Sequence, residues 1–324
     1  MTVLQHLNDT MKKAAMRAGC ELTPDGTPVV KSRQEFDLLV RGLREHGYTA
    51  ISSRRNEGGV TVGLMKTFEE APQFLSLRIG SRIPLPETKG LFLVFLGPDG
   101  VGKTTTVDQV MASLKPVFTS ESLFHWRPQV LKPRSSADEA SGKDTWTSIN
   151  RHGDPPRSLM LSLLRLAGVF ADYYIGQLKL IAPALNRGEL VVFDRYYHDI
   201  LVDSRRYRYG GPEWLLHLMK HALPQRQALF VVLDAEDNVI LSRKQEVTIE
   251  ELRRQRQRYA ELADTLPGCI SVRTDIGQQQ TVQQVLKSVG VHLAKRFEGR
   301  FTSPANAAAQ AALSGEIQPE RRLA

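Results

Sequence analysis

At 324 residues and 41% hydrophobic composition, the chain is long enough for two domains, each with a buried core. A formal charge of +8 with a pI near 9.5 points to an anionic partner. No Lys/Arg block interleaved with aromatics marks a polynucleotide track, so nucleic acid is not the expected partner. Cys20 and Cys269 are the two cysteines, which excludes a disulfide framework and a cysteine metal site and fits a reducing cytoplasm.

Residues 1–85 are expected to form a small α+β unit. Its opening residues 1–9 lack the basic stretch and apolar core of a signal peptide. Helices are predicted at Val3–Arg17 and at Arg33–Glu45, where Phe36, Leu39, Val40 and Leu43 share one face. Strands at Thr49–Ser53 and Val60–Met65 would form a hairpin across Arg54–Gly59. Arg54 and Arg55 read as a solvated hairpin tip, with an anion or partner contact as the alternative. No catalytic constellation is visible there, and Ile79–Pro86, with two prolines, reads as the boundary.

The run Leu91–Leu96 has the length and composition of a buried strand, and Gly97-Pro98-Asp99-Gly100-Val101-Gly102-Lys103-Thr104-Thr105 follows it directly. A strand ending in G-x-x-x-x-G-K-[ST] before a helix is a phosphate-binding loop in the context that the motif requires. Its glycines let backbone N–H groups curl toward a polyphosphate, and the helix after Gly102 aims its positive end the same way. Lys103 would reach the β/γ-phosphates, and Thr104 would ligate Mg²⁺.

A second strand is expected within Val117–Trp126, followed by Arg127-Pro128 and a polar loop to Arg157, read either as an acceptor-side loop or as disorder. The apolar stretch Ser158–Asn186 reads as a long buried helix rather than a membrane span, because Arg165, Asp172 and Lys179 interrupt it. Leu190–Phe193 is a buried strand that delivers Asp194-Arg195-Tyr196 to a carboxyl sheet edge, where ligands bind in open α/β sheets. On the helix Trp214–Leu223, His217 and His221 lack the third ligand that zinc needs. A strand at Ala228–Asp234, a helix at Asn238–Arg243, an interruption at Lys244–Thr248 and a charged helix at Ile249–Leu262 follow. A last strand at Cys269–Val272 and a helix at Thr281–Phe297 complete the α/β alternation of a doubly wound, parallel, five-stranded sheet. The tail from residue 300, rich in small and polar residues, is expected to be mobile.

These segments together resemble the thymidylate kinase family of P-loop nucleoside monophosphate kinases across residues 90–295. The phosphate loop is similar to the family's, with its acidic residue at Asp99. Pro183–Tyr196 is similar to its helix, strand and D-R-[YFH] signature, and Arg254–Ala263 to the helix after its lid. The resemblance implies that residues 86–299 are a P-loop kinase domain transferring the γ-phosphate of ATP, with Mg²⁺, to a nucleoside monophosphate. Gly97 through Thr105 would hold ATP; Thr104 and Asp194 the metal. Lys103, Asp99, Arg195 and Arg243 would be catalytic, with Lys244 and Arg254 as further lid cations, and Arg127, Asp172, Tyr173, Arg195 and Tyr196 would face the acceptor. The family carries Asp-Arg where this chain has Asp172-Tyr173, and Arg-Glu-Pro where it has Arg127-Pro128. A sugar or sugar-phosphate kinase and a nucleotide-regulated binding module are the alternatives, and a homodimer is left open.

Overall fold

The computed structural model of the chain describes residues 3–57, 59–67, 71–82, 85, 87–131, 155–225, 228–244 and 247–301. Two compact units emerge, one drawn from Met1–Thr67, Gln73–Thr88 and Gly290–Ala324, the other from Phe68–Pro72 and Lys89–Val289.

The first unit contains α1 (Val3–Arg17), β1 (Glu21–Leu22), β2 (Pro28–Val30), α2 (Arg33–Glu45), β3 (Tyr48–Asn56), β4 (Gly59–Thr67) and β5 (Pro72–Ser81). Ser32 caps α2 by accepting the Glu35 N–H, while the Glu35 carboxylate accepts the Lys31 N–H at 2.7 Å, so two helix-start donors are satisfied at once. Phe36, Leu39 and Leu43 then fall on the buried face. The sheet order is β1-β2-β5-β4-β3. Three of its strands escape the sequence pattern: β1 and β2 are too short to show a period, and the buried positions of β5 change phase between Phe74 and Leu77. The β3–β4 ladder runs out to Asn56 opposite Gly59, so Arg54 and Arg55 sit within the strand and not at a hairpin tip.

The second unit runs β6 (Leu91–Leu96), α3 (Lys103–Leu114), β7 (Glu121–His125), α4 (Leu159–Gly176), β8 (Leu190–Asp194), α5 (His198–Val202), α6 (Glu213–Ala222), β9 (Ala228–Asp234), α7 (Asp237–Arg243), α8 (Ile249–Thr265), β10 (Ile270–Arg273) and α9 (Gln278–Phe301). α4 continues through a π-helical segment, Gln177–Ile181, into Ala182–Asn186, and the second unit takes in α9 only as far as Val289. All sheet neighbours in the order β10-β9-β6-β8-β7 are parallel. Every residue of β6 is buried, because it lies between β8 and β9 and is covered on both faces. Such a sheet is an α/β P-loop fold, and its carboxyl edge collects the loops after β6, β7, β8 and β9 on one side.

The long helix is buried on one face only. Leu166, Val169, Phe170, Tyr173 and Ile181 join the core with Phe92, Phe193 and Phe230, whereas Met160 is 82% exposed, Leu164 71% and Leu178 74%. Its length and apolarity suffice to cross a membrane, but the inward face carries the polar side chains of Ser162 and Asp172. Of the expected acceptor-side loop, 132–154 lie outside the described residues, as do 302–324 of the C-terminal segment.

Candidate active site

The phosphate loop starts where β6 ends. Gly97 takes φ +145°, and a Cβ there would stand 2.4 Å from the Leu233 carbonyl oxygen of β9, so only glycine lets the loop leave the sheet at this point. Gly102 caps α3 in a left-handed conformation with no side-chain acceptor, which leaves the first N–H groups of the helix facing the loop. Lys103, only 6% exposed, donates to the carbonyl oxygens of Gly97 at 2.7 Å and Pro98 at 2.8 Å. Burial and the nearby Arg195 charge lower its ammonium to about 8 against the pull of Asp99, Asp194 and Asp199.

Across the loop mouth, the Thr104 hydroxyl lies 3.5 Å from Asp194 Oδ2 at the end of β8. Burial raises the Asp194 carboxyl, but the His125 hydrogen bond and the charges of Lys103 and Arg195 outweigh it and hold the group below its usual range. Among the described residues Asp194 Oδ1 is buried without a hydrogen-bond partner. An ionised carboxylate with one unmatched oxygen beside a threonine hydroxyl is a donor set suited to a hard divalent cation. The loop amides and Lys103 beside it suit a polyphosphate.

Arg195 follows with its backbone at φ +74°, a conformation that non-glycine residues seldom hold without a functional or packing reason. Its N–H donates to the Phe95 carbonyl at 2.9 Å, and its guanidinium reaches Asp99 of the phosphate loop through Nη2 and Asp199 of α5 through Nη1. Burial disfavours the charge, yet Asp199 and Asp99 raise its pKa well above the ordinary value. Asp199 also accepts from Tyr259 at 3.0 Å, and Asp99 from Arg206. Asp203 accepts the Arg206 N–H at 3.0 Å and the Gln255 amide at 3.1 Å, tying α8 to the same network.

The residues expected to face an acceptor divide. Arg127 is 4% exposed and donates to Asp172 at 3.1 Å, and Asp172 also accepts the N–H groups of Gln129 at 2.8 Å and Leu131 at 3.0 Å. Asp172 therefore shapes the loop after β7. Tyr173 is fully buried, its hydroxyl donating to the Trp126 carbonyl and its ring 4.7 Å from Tyr196. Tyr196 is fully buried as well, packed on Phe92 and Phe193. Both rings are walls behind the site.

Arg243 lies against the loop. Its Nη1 lies 3.3 Å from the Val101 carbonyl, and its Nη2 donates to the Thr274 carbonyl at 3.3 Å. Lys244, with Asp99, Asp203 and Arg206, lines a small cleft beside the loop. Arg254 is held by Glu251 on its own helix, and His217 and His221 sit exposed on α6 with no metal-binding group among the described residues. Sequence reasoning passed over Asp199, Arg206, Asp203, Tyr259 and Gln255. The Asp203-Ser204-Arg205-Arg206-Tyr207-Arg208 cluster of charges is a local signal that could have found Asp203 and Arg206.

A thymidylate kinase of Bifidobacterium longum is 34% identical over 125 residues, 38% of this chain and 54% of that enzyme. One from Vibrio vulnificus is 27% identical over 212 residues, covering 61% of this chain and 92% of that enzyme. The chain is thymidylate-kinase-like. It spans about half the length of the Bifidobacterium relatives it matches, and no family model matches it. The solved thymidylate kinase of Candida albicans superposes with a TM-score of 0.47 at 14% identity, covering 64% of this chain and 95% of that one.

Proposed function

We propose that the chain is an ATP- and Mg²⁺-dependent phosphotransferase acting on a small phosphorylated acceptor of the nucleoside monophosphate class. The observation that carries this reading is the Asp194 carboxylate, one of its oxygens buried and unmatched among the described residues, facing Thr104 across a complete phosphate loop. Gly97 through Thr105 would hold ATP, with Lys103 exchanging the carbonyls of Gly97 and Pro98 for phosphate oxygens. Thr104 and Asp194 would hold Mg²⁺, which when bound neutralises charge on the donor phosphates. Arg195 and Arg206 converge on Asp99 and would take the acceptor phosphate beside it. Arg243, against the Val101 carbonyl of the loop, and Lys244, in the cleft beside Asp99, would be the cations available to the transferred group.

A second reading, a kinase of a sugar phosphate, draws support from the acceptor side. Tyr173 is walled off, and Asp199 places an extra carboxylate on Arg195. The two free thiols agree with a cytoplasmic setting for either reading. The test is transfer of labelled γ-phosphate from ATP to a panel of nucleoside and sugar monophosphates. Lys103→Ala and Asp194→Ala should each lower kcat by about two orders of magnitude or more without shifting the melting temperature of the free protein downward. ATP binding with no transfer to any acceptor would favour a nucleotide-regulated binding module instead.

A further inference from the structure

β7 and β8 run parallel in a register that sets Glu121 opposite Leu190 and His125 opposite Asp194. Partnered residues of neighbouring strands project to the same face of a sheet, and successive residues alternate between faces. Phe124 and Phe193 accordingly stack on the core side, ring centroids 5.0 Å apart and tilted 27°, while His125 and Asp194 come out together on the other face. The chain is fixed immediately beyond them. The Trp126 N–H donates to the Asp194 carbonyl at 3.0 Å, the Arg127 N–H donates to the His125 carbonyl at 2.7 Å, and Trp126 turns the backbone at φ +62°. The imidazole is thus held at the carboxyl edge of the sheet, beside the carboxylate that faces Thr104.

His125 Nδ1 stands 3.8 Å from Asp194 Oδ2, stretched well past the roughly 2.9 Å of a settled N–H···O bond. The separation is short enough for one cation to touch both atoms, because a first-row cation's bonds to imidazole nitrogen and to carboxylate oxygen are each about 2.0–2.2 Å long. The Thr104 hydroxyl is 3.5 Å from the same Oδ2, so an imidazole and a hydroxyl both converge on the Asp194 carboxylate. No other hydrogen bond or ion pair engages the imidazole among the described residues, and its side chain is 46% exposed, so it can turn toward an arriving ion. Asp194 Oδ1, buried without a partner among the described residues, adds a further lone pair. Mg²⁺ takes oxygen ligands, whereas imidazole nitrogen strengthens binding along the first-row transition series.

We infer that His125 is a third protein ligand of the nucleotide-bound cation, and that the site binds a first-row transition cation such as Co²⁺ or Mn²⁺ more tightly than Mg²⁺. This rests on the phosphotransferase reading and names the metal class of that site. A histidine that only oriented Asp194 would leave the choice of metal to the oxygen ligands.

The experiment is electron spin echo spectroscopy of Mn²⁺ bound to the full-length, uniformly ¹⁵N-labelled chain with an unlabelled, non-transferable ATP analogue. The spectrum should carry the ¹⁵N coupling of a directly bound imidazole, and His125→Ala should abolish it. Competition titrations give a second readout: His125→Ala should weaken Co²⁺ about tenfold or more and Mg²⁺ less than about threefold. His125→Gln, which can still donate to Asp194 but offers no imidazole nitrogen, should lose the coupling as well and keep Mg²⁺ affinity within about twofold of the parent. Mn²⁺ bound beside the analogue without ¹⁵N coupling, a coupling that survives both substitutions, or equal losses for Co²⁺ and Mg²⁺ overturns the inference. Failure of the analogue to bind with any of the three cations overturns the phosphotransferase reading itself.

Discussion

Asp172→Ala tests whether the acceptor side depends on a positioning carboxylate. Asp172 is fully buried and accepts three hydrogen bonds, two from the N–H groups of Gln129 and Leu131 and one from Arg127, itself 4% exposed. Breaking a buried ion pair by removing one partner costs about 3–5 kcal/mol, and most of that is the desolvated charge left behind. A unit of this size loses roughly 2–4 °C of melting temperature per kcal/mol, so the variant should melt roughly 6–20 °C lower. Asp172→Asn keeps the shape but presents an NH₂ group to one of the donors, and it should recover less than half of the loss. In acceptor kinetics both variants should raise KM more than they lower kcat, because the loop after β7 carries Trp126 and Arg127 while the phosphate loop is untouched. Differential scanning fluorimetry and steady-state assays read these effects. A melting point of Asp172→Asn within about 2 °C of the parent would refute the reasoning, since it would mean that no uncompensated charge had been created.

Nucleotide affinity should weaken as pH rises through about 8, where Lys103 loses its proton in the free protein, and binding near pH 8.5 should take up a proton. Calorimetry in buffers of different ionisation enthalpy detects the uptake, and Lys103→Arg should abolish it. In the free protein the same depressed value means that stability rises between about pH 8 and the ordinary lysine range, because there the unfolded chain binds more protons. His198 is completely buried with neither ring nitrogen hydrogen-bonded among the described residues, and burial lowers it to about 3. Its folded value lies below its unfolded one, so its contribution is full above pH 6.5 and is lost by about 1.4 kcal/mol per pH unit on the way down to 3. His198→Phe should flatten that acid limb in urea titrations, and an unchanged slope would count against it. Tyr173→Arg, which installs the residue type of the related family, should destabilise the protein by several kcal/mol and give no gain in thymidylate turnover, because the ring it replaces is enclosed by Tyr196 and the Trp126 carbonyl.

Much of the fold was legible because its signals are local. The apolar run Leu91–Leu96 meets a complete motif, and Leu190–Asp194 and Ala228–Asp234 are short apolar runs between turn residues. The network around Arg195 was not legible, because topology alone assembles it. Register places Phe95 beside Asp194, and this brings Asp99 of one loop onto Arg195 of the next, 96 positions along the chain. The burial of Tyr173 was not legible either, for the opposite reason. A position known to face the acceptor in the related family was carried over, but a tyrosine at this place in α4 turns into the core with Val169, Phe170 and Gly176. Arg243 is the last residue of α7, and the chain becomes extended at Lys244, which turns the arginine beneath the loop toward Thr274.

In the free protein both cations central to the proposed chemistry are already engaged by the chain's own acceptors, and the two kinds of acceptor differ. Lys103 rests on neutral carbonyls, so a phosphate that takes their place gains a charge–charge interaction in a site already stripped of water. Arg195 rests on two aspartates, so an acceptor phosphate there exchanges one anion for another with little net gain, and it meets the repulsion of Asp99 and Asp199 as well. Donor affinity should then come from the loop itself, while acceptor affinity must come from somewhere else. Arg195, balanced between its two aspartates, would then act on an acceptor phosphate chiefly as charge develops during transfer.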